Sequence, residues 1–315
     1  MQSSQIWTEK FRPAKFEEVV GQKDIVRKVK ALVETKNIPH LLFSGPAGVG
    51  KTTLSLVIAK QLHGEHWRSN FLELNASSSR GIDTIRNEVK DFAKTMAIDS
   101  DAPKIILLDE ADALTKEAQQ ALRRTMETYS NSCRFILSCN VVSKIIDPIK
   151  SRCAVFRFKP LDINEINEII SKVKFNENLN IDPEMMKILY EQSNGDVRQI
   201  YNILQSSSAI SNNITKDVLN EFTITVSSDS LKEILELAVN KRFLEARSKL
   251  LGVMLDNGLS GLDIIKLLQK EVLNMKISDN KKYEIIERCG EIEFRLVEGS
   301  DDYVQLEALL AFIAK

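Results

Sequence analysis

The stretch Gly45-Pro46-Ala47-Gly48-Val49-Gly50-Lys51-Thr52 decides the fold, because it matches the whole pattern G-x-x-x-x-G-K-[ST]. The apolar run His40–Ser44 precedes it and the periodic run Leu54–Ala59 follows it, which is the strand–loop–helix setting that the motif needs. A loop rich in glycine can curl with its N–H groups inward, and together with the start of the next helix these groups form a cradle for anions. Lys51 can then reach the outer phosphates of a nucleotide, and the Thr52 hydroxyl can hold Mg²⁺. The alternative is an ordinary glycine-rich turn, which would not need Lys51 and Thr52 in this register.

The composition is that of a globular chain with room for two or three domains: 315 residues, 43% of them hydrophobic and 28% charged. Because the net charge is −1, contact with nucleic acid would depend on a local basic patch. The four cysteines have no C-x-x-C spacing, which predicts free, mostly buried thiols in a reducing compartment. No apolar run is long enough to span a bilayer and the first residues do not resemble a signal peptide. We therefore expect a soluble intracellular protein without membrane contact.

Alternating apolar runs and helical patterns predict an α/β domain. Each apolar run is short and nearly continuous, as expected of strands that are covered on both faces. Amphipathic helices such as Ile82–Phe92 and Lys116–Tyr129 lie between the runs. This order predicts a five-stranded, parallel, doubly wound sheet that binds its ligand at the carboxyl ends of the strands. The predicted strands are His40–Ser44, Phe71–Asn75, Ile105–Asp109, Arg134–Cys139 and Ala154–Phe158.

The strand patterns stop near Leu161, and the remaining patterns are helical. Ser227–Ser230 looks like a linker between two helical groups. We therefore predict three domains: a nucleotide-binding domain at 1–160, a helical domain at 161–226 and a second helical domain at 227–315. The predicted helices of the last domain are Leu231–Val239, Phe243–Asn257, Leu262–Met275, Lys281–Glu298 and Tyr303–Ala314.

The opening segment Trp7–Pro13 mixes aromatic, charged and proline residues, so we expect no regular structure there. Asp24 is the predicted cap of a helix that carries apolar residues at helical spacing from Ile25 onward. Two interpretations stay open for the segment ahead of this helix. It folds over a nucleotide base, or Trp7 and Phe11 simply pack on the domain surface.

A strand that ends in acids, within Ile105–Asp112, forms the second half of the predicted site. A carboxylate at this strand tip can hold Mg²⁺ beside the phosphate-binding loop, and Asp109 is our candidate. Glu110 is placed to polarise an attacking water as a general base. For Asp112 we favour a structural role as a helix-start or ion-pair residue.

Three further polar residues are candidates because of their positions. Asn140 follows the strand Arg134–Cys139, whose tip should lie near the γ-phosphate, and its amide can bond both phosphate and water; a simple turn residue is the alternative. Arg152 follows Asp147–Lys150, and Arg198 stands at a predicted helix start. Either arginine could stabilise a transferring phosphoryl group in cis or in trans, or could form a surface ion pair, which is the commoner role of arginine.

These residues resemble those of the AAA+ ATPases, and more closely those of the small subunits of the replication factor C sliding-clamp loader, of archaeal type. The resemblance covers essentially the whole chain. It implies a P-loop AAA+ domain followed by an α-helical lid and an α-helical collar that joins subunits. The stretches that carry it most specifically are Trp7–Pro13, Leu107–Asp112, Ala118–Glu127, Ser138–Asn140, Ser143–Ile146 and Ser151–Cys153.

The resemblance also implies a role for each candidate. Asn140 matches the sensor-1 position, and Arg198 matches sensor 2, which reaches the phosphates of its own subunit's nucleotide. Arg152 matches the finger that completes the site of a neighbouring subunit in trans. The residues implied to contact ATP are Val19 and Val20 near the adenine, Gly45, Pro46, Ala47, Gly48, Val49, Gly50, Lys51, Thr52, Thr53 and Arg198.

The sequence departs from the family pattern in two places. Pro46–Gly50 reads Pro-Ala-Gly-Val-Gly where the family usually has Pro-Pro-Gly-Thr-Gly, and Ser77–Arg80 replaces a more acidic stretch. Neither change removes a backbone donor, Lys51 or Thr52. We therefore keep ATP hydrolysis with Mg²⁺ as the expected activity, although the affinity for nucleotide could differ.

The partners implied by the resemblance are those of a ring, a hetero-pentamer of a large subunit and small subunits that loads a PCNA-type sliding clamp onto primer–template DNA. Such a protein works in the cytoplasm of an archaeon or in the nucleus of a eukaryote. The helix end Phe92–Ile98 is the implied clamp contact, although its apolar residues could equally be core. Contacts to phosphates allow a protein to bind DNA of any sequence. The alternative is that these charged side chains only face solvent, above all Arg86. The implied DNA contacts are Arg80, Ile82, Arg86, Ser143 and Lys144.

Two other functions stay open on the sequence. One is an AAA+ translocase, either a protein unfoldase or a branch-migration motor. An unfoldase usually carries an aromatic residue in the pore loop after the second strand, and Ser77–Gly81 has none. The other is a non-hydrolysing scaffold subunit, which the intact Glu110, Asn140 and Arg198 disfavour.

Overall fold

The computed structural model of the protein describes residues 6–77, 82–98, 101–222 and 228–315. The chain divides into two compact units, Met1–Leu219 and Asn220–Lys315. The boundaries that we predict at 160/161 and 226/227 stay predictions.

A five-stranded parallel sheet forms the centre of the first unit, and it confirms the predicted fold class. The strand order is β2-β3-β4-β1-β5 and every pairing is parallel. Each strand lies within one residue of its predicted bounds. The strands are β1 (His40–Ser44), β2 (Phe71–Asn75), β3 (Lys104–Asp109), β4 (Cys133–Cys139) and β5 (Cys153–Arg157).

The three inner strands are almost completely buried. Leu41, Ile106 and Leu137 each expose 1% or less of their surface, because helices cover both faces of the sheet and exclude water from it. The edge strands β2 and β5 alternate between half-buried and exposed positions, as strands with one open side do. The prediction that the strands are covered on both faces is therefore confirmed for the three inner strands and wrong for the edge strands β2 and β5.

Ten helices of the described chain precede residue 223, and most connect the strands or follow the last one. Helix α3 begins directly after the glycine-rich loop. A two-stranded parallel sheet of β6 (Asn180–Ile181) and β7 (Asn213–Ile214) lies among the later helices. The helices are α1 (Trp7–Lys10), α2 (Lys23–Glu34), α3 (Lys51–His63), α4 (Ile82–Lys94), α5 (Lys116–Thr128), α6 (Asp147–Lys150), α7 (Ile163–Glu177), α8 (Pro183–Ser193), α9 (Val197–Ile210) and α10 (Lys216–Phe222).

The described part of the second unit is helical, as predicted. Apolar residues from all five helices form one core, including Leu235, Leu250, Leu268, Ile292 and Leu310, each exposed by 1% or less. Side-chain caps fix three of the helix starts. No helix in the described ranges combines the length and the apolar character needed to cross a membrane. The helices are α11 (Ser228–Val239), α12 (Phe243–Asn257), α13 (Gly261–Val272), α14 (Asp279–Val297) and α15 (Asp302–Ile313).

Two local predictions are wrong. The segment from Trp7 to Lys10 is a helical turn, because burial of the Trp7 side chain, 7% exposed, holds the chain against the core. Asp24 does not cap helix α2, because the helix begins at Lys23 and its cap position is Gln22, in a left-handed conformation. The carboxylate of Asp24 instead pairs with Arg27.

Replacing Ile136 by Ala tests the layered core. Its side chain is fully buried in β4 between Leu41 and Leu107 of the neighbouring strands. The cavity left behind should lower the free energy of unfolding of the first unit by about 2–5 kcal/mol. Both tryptophans, Trp7 and Trp67, lie in this unit, so denaturant unfolding followed by tryptophan fluorescence reports on it.

Phe175→Ala is the matched control, because that side chain in α7 is 83% exposed. It should change the free energy of unfolding by less than about 0.5 kcal/mol. A loss of stability at Ile136 as small as that at Phe175 would contradict the buried position of β4.

Candidate functional site

The candidate site lies where the carboxyl ends of the strands meet. Ser44 at the end of β1 pairs with Cys139 at the end of β4, so the glycine-rich loop after β1 lies beside Asn140. Asp109 ends the next strand, β3. A cavity at this edge is lined by the loop, by these strand tips, by the N-terminal segment and by the start of α9. The parallel sheet therefore brings together residues that are far apart in the sequence.

Two glycines of the loop have no room for a side chain. Gly45 (φ +152°) and Gly48 (φ +67°) adopt backbone conformations that favour glycine. A Cβ at Gly45 would lie 2.5 Å from the carbonyl oxygen of Phe158, and one at Gly48 would lie 1.7 Å from Oδ1 of Asp196. The tight loop therefore depends on glycine at these two positions.

The Lys51 ammonium group fills the loop in this structure. It is 7% exposed, and its Nζ donates to the carbonyl oxygens of Gly45 at 2.7 Å and Pro46 at 2.6 Å. Nζ also donates to Oδ1 of Asn140 at 2.9 Å. All three acceptors are neutral oxygen atoms, so these hydrogen bonds satisfy the ammonium without balancing its charge.

Burial lowers the pKa of Lys51, because taking the ammonium out of water disfavours its charged form. The carboxylates of Asp109 and Asp112 act in the opposite direction, and the cation of Arg198 adds to the lowering. A further anion at this place would remove the penalty. The chemistry of the cradle thus fits a phosphate group.

Thr52 and Asp109 form the other half of the cradle. The Thr52 hydroxyl donates to Oδ2 of Asp109 at 2.6 Å, so a hydroxyl and a carboxylate lie side by side. Oxygen ligands of this kind suit Mg²⁺, which takes few protein ligands and completes its shell with water and substrate phosphates. The donor set therefore fits Mg²⁺ bound together with a nucleotide.

Glu110 lies at the rim of the cavity in a left-handed conformation, with φ 54° and ψ 38°. Its N–H donates to Oδ1 of Asp109 at 3.0 Å, and its carbonyl oxygen accepts from Ala113 at 2.9 Å. Such a conformation costs a non-glycine residue about 1–2 kcal/mol. The surrounding turn holds it, and its side chain is exposed at the cavity. A proton acceptor at this point could serve a water molecule at the end of a bound triphosphate.

Asp112 holds the turn that carries Asn140. Its Oδ2 accepts from the backbone N–H groups of Asn140 at 3.2 Å and Val141 at 3.0 Å. The structural role that we predict is thus present, in a different form: Asp112 lies in a short 3₁₀ turn, and it ties the tip of β3 to the tip of β4. The acidic cluster after an apolar strand is the signal for it in the sequence, but its partner Asn140 is 28 residues away.

Gln119 is a buried residue that the sequence patterns do not single out. It is 1% exposed, and its Nε2 donates to the carbonyl oxygens of Leu114 at 3.1 Å and Lys144 at 3.0 Å. Its Oε1 accepts from the N–H of Ile146 at 2.9 Å. One side chain of α5 thereby joins the loop after the acidic strand to the loop that carries Ser143 and Lys144.

The two candidate arginines lie at opposite ends of the strands: Arg198 is near their carboxyl ends and Arg152 near their amino ends. Arg198, in the first turn of α9, is exposed and lines the cavity. Arg152 directly precedes β5, whose first residue pairs with the first residue of β1, so it stands about 16 Å away, one strand length from the loop. There it pairs with Glu127 at 2.5 Å and donates to the carbonyl oxygen of Pro148 at 2.7 Å. The structure thus joins Arg198 to the site of its own chain and leaves Arg152 outside it.

The N-terminal segment packs against the core and also lines the cavity, and its contact with a nucleotide base stays a prediction. The side chain of Trp7 packs in the core, and the backbone N–H of Trp7 donates to Oε1 of Gln205 in α9 at 2.9 Å. Phe11 stacks on Tyr201, with ring centroids 5.8 Å apart, and both rings line the cavity. Val19 and Val20 line it as well, as do Ala47, Gly48, Val49, Gly50, Lys51, Thr52 and Thr53.

The predicted DNA and clamp contacts are described in part. Ser143 and Lys144 are exposed on a 3₁₀ turn, Val142–Lys144, directly after Asn140. Helix α4 begins at Ile82, and Arg80 and the side chains of Ile82 and Arg86 lie outside the described residues. In the predicted clamp segment, Ala93 is buried whereas Met96 and Ile98 are 71% and 50% exposed.

Three family models match successive parts of the chain. Residues 41–161 match the ATPase family associated with various cellular activities, AAA. Residues 163–221 match the RFC1-like AAA+ ATPase lid domain. Residues 226–312 match the replication factor C C-terminal domain.

Curated relatives match over nearly the whole chain. A protein of Methanococcus vannielii named replication factor C small subunit is 50% identical over 306 residues, 97% of each chain. One of the same name from Archaeoglobus fulgidus is 46% identical over 314 residues, covering 100% of this chain and 98% of that protein. Among solved structures, the Thermotoga maritima RuvB Holliday junction branch migration motor has a TM-score of 0.56 at 17% identity, over 73% of this chain and 79% of that one; this likeness concerns the fold alone.

The order of the matched domains and the identity to full-length relatives agree with the site found at the sheet edge, and they confirm the resemblance seen in the sequence. The chain carries an AAA ATPase domain and belongs to the replication factor C small-subunit family, of archaeal type.

Proposed function

We propose that this chain is an ATP-hydrolysing small subunit of a clamp loader, which loads a sliding clamp onto primer–template DNA. The names of its relatives and its replication factor C domains support this function. The observation that carries the proposal is the position of the two arginines: Arg198 lines the cavity, whereas Arg152 stands at the opposite edge of the sheet. A cation that lies outside the site of its own chain is available to the nucleotide site of a neighbouring chain, which suits a ring of subunits.

The residues that would hold ATP form three groups, which would contact the adenine, the phosphates and Mg²⁺. Val19, Val20 and the stacked pair of Phe11 and Tyr201 offer an apolar end for the adenine. The loop from Gly45 to Gly50 and the first turn of α3 offer N–H groups and the Lys51 ammonium to the phosphates. Thr52 and Asp109 would hold Mg²⁺, which when bound neutralises charge on the β- and γ-phosphate oxygens.

In hydrolysis, the bond from the γ-phosphorus to the bridging oxygen breaks while the oxygen of water bonds to the phosphorus. Glu110 accepts a proton from that water. Asn140 orients the water and the phosphate through its amide, and Lys51 and Arg198 donate to the phosphate oxygens as charge moves onto the leaving ADP. Arg152 of the neighbouring subunit adds a cation in trans. Each side chain thus acts mainly by position and charge.

A nucleotide site shared between two subunits implies a ring of subunits. ATP bound between two subunits would link them, because one contributes the cradle and the other contributes Arg152. We propose a hetero-pentamer of a large subunit and small subunits, with a PCNA-type clamp and primer–template DNA as partners. Ser143 and Lys144, and Arg80, Ile82 and Arg86 on the other loop, are the proposed DNA contacts, and the exposed Met96 and Ile98 are proposed to touch the clamp.

Hydrolysis by this chain should depend on Glu110. Glu110→Gln keeps the shape but removes the proton acceptor, so turnover by the complex with clamp and primed DNA should fall about 10²- to 10⁴-fold, while ATP still binds. Phosphate release measures the turnover, and titration calorimetry measures the binding of ATP. The control is Glu117→Gln, an exposed carboxylate in the first turn of α5. Full turnover by the Glu110 variant would refute the general-base role.

Arg152→Ala should separate binding from turnover. Because Arg152 lies outside the cavity of its own chain, ATP affinity of the isolated subunit should not change, whereas turnover by the ring should fall about 10³- to 10⁵-fold. Lys150→Ala, two residues away and paired with Asp147, is the control. A decrease in the affinity of the isolated subunit would mean that Arg152 acts in cis or only in folding.

Mixed rings test the same point in another way. If a ring holds several copies of this chain, the Glu110→Gln and Arg152→Ala variants should each be inactive alone. Mixed together they should recover part of the activity, at interfaces that join an intact Glu110 to an intact Arg152. No recovery in rings shown to contain both variants would argue against catalysis in trans.

Lys144→Ala should weaken DNA binding in a salt-dependent way. The binding of one duplex phosphate by a cation contributes about 0.9 to the slope of log K against log salt concentration. The slope measured for the complex on primer–template DNA should therefore become shallower by that amount for each phosphate that Lys144 neutralises. Lys187→Ala, an exposed lysine in α8, is the control. An unchanged slope for Lys144→Ala would remove this residue from the proposed DNA interface.

A further inference from the structure

The phosphate-binding loop touches the first turn of α9 directly. The N–H of Val197 donates to the carbonyl oxygen of Gly48 at 3.1 Å. Beside this bond, Oδ1 of Asp196 occupies the space of the missing Gly48 side chain, because a Cβ there would lie only 1.7 Å from it. The start of α9 therefore rests on the middle of the loop.

On its other side, the turn before α9 lies close to the backbone of Leu161. Gly195 has φ +83°, and a Cβ on it would lie 2.9 Å from the carbonyl oxygen and 3.0 Å from the nitrogen of Leu161. Asn194 before it is also left-handed, with φ 49°. The start of α9 is thus confined between Gly48 on one side and the backbone of Leu161 on the other.

Asp196 has two contacts in this arrangement. Its Oδ1 accepts from the N–H of Gln199 at 3.1 Å and so caps α9. The same carboxylate packs on Gly48. Capping alone would be served by a shorter side chain such as Ser, whereas contact with Gly48 needs the longer one.

Arg198 is two residues beyond Asp196 and lines the cavity. We infer that Asp196 is a positioning residue: by seating α9 on Gly48 it sets the direction from which Arg198 reaches the nucleotide phosphates. A change in the loop on binding phosphates would then pass to α9 through the Gly48 contact. This inference rests on the proposed role of Arg198.

The test compares two helix caps in the full-length chain. Asp196→Ser keeps a good cap but withdraws the atom that contacts Gly48. Asp162→Ser is the matched control, because Asp162 caps α7 in the same way, by accepting from Asn164 and Glu165. Affinity for ATP with Mg²⁺ is measured by calorimetry for both, for Arg198→Ala and for the Asp196→Ser/Arg198→Ala double variant, and thermal melts compare their folding.

Asp196→Ser should weaken ATP binding about tenfold, and Asp162→Ser should not. In the Arg198→Ala background, Asp196→Ser should have little further effect, within about twofold, because the residue it positions is gone. Equal decreases in affinity for the two Ser variants, or the same decrease with and without Arg198, would overturn the inference. If Arg198→Ala itself has no effect, the proposed role of Arg198 fails instead.

Should Asp196→Ser melt below the assay temperature, Asp196→Asn gives the answer. Asn keeps both the cap and the length of the side chain, so its affinity should stay much closer to that of the unaltered chain than to that of Arg198→Ala. An Asn variant as weak as Arg198→Ala would show that the contact with Gly48 is not the cause, and would overturn the inference.

Discussion

The buried ammonium group of Lys51 is the constraint on which the site depends. Burying a cation without an opposite charge is costly, and here its hydrogen bonds go to two carbonyl oxygens and one amide oxygen. The hydrogen bonds make the group tolerable and the carboxylates of Asp109 and Asp112 offset part of the cost, but none of the three hydrogen-bond partners of the ammonium carries a negative charge. A phosphate group in the loop would balance the charge of the ammonium, and the Thr52–Asp109 pair beside it would meet the accompanying Mg²⁺.

The parallel sheet separates the site residues from Arg152. Because all five strands run in one direction, their carboxyl ends collect the loop, the acids and Asn140 at one edge. Arg152 lies at the other edge, paired with Glu127. The strand direction thus keeps Arg152 away from the loop of its own chain, and under the proposed function a second subunit would complete the site.

Much of this arrangement could be predicted because it depends on local patterns. The five strands follow from apolar runs, Lys51 and Thr52 follow from the glycine-rich motif, and Asp109 and Asn140 follow from their positions at strand ends. The left-handed conformation of Glu110 could not be predicted, since it is imposed by the turn around it and not by the residue type.

Hydrogen bonds between residues distant in the sequence could not be predicted either. The bonds of Asp112 to Val141 and of Gln119 to Lys144 join elements whose neighbourhood appears only once the sheet is assembled. Tertiary packing also decides the helical turn at Trp7. Strands β6 and β7, two residues each, are too short to leave a periodic pattern.

A structure of the assembled complex with Mg²⁺ and a non-hydrolysable ATP analogue would test the shared nucleotide site most directly. We expect Lys51 to leave the carbonyl oxygens of Gly45 and Pro46 for the phosphates, and Arg152 to leave Glu127 for the nucleotide of the neighbouring subunit. A complex in which Lys51 still binds those carbonyl oxygens, or Arg152 still pairs with Glu127, beside bound nucleotide would contradict a site shared between subunits.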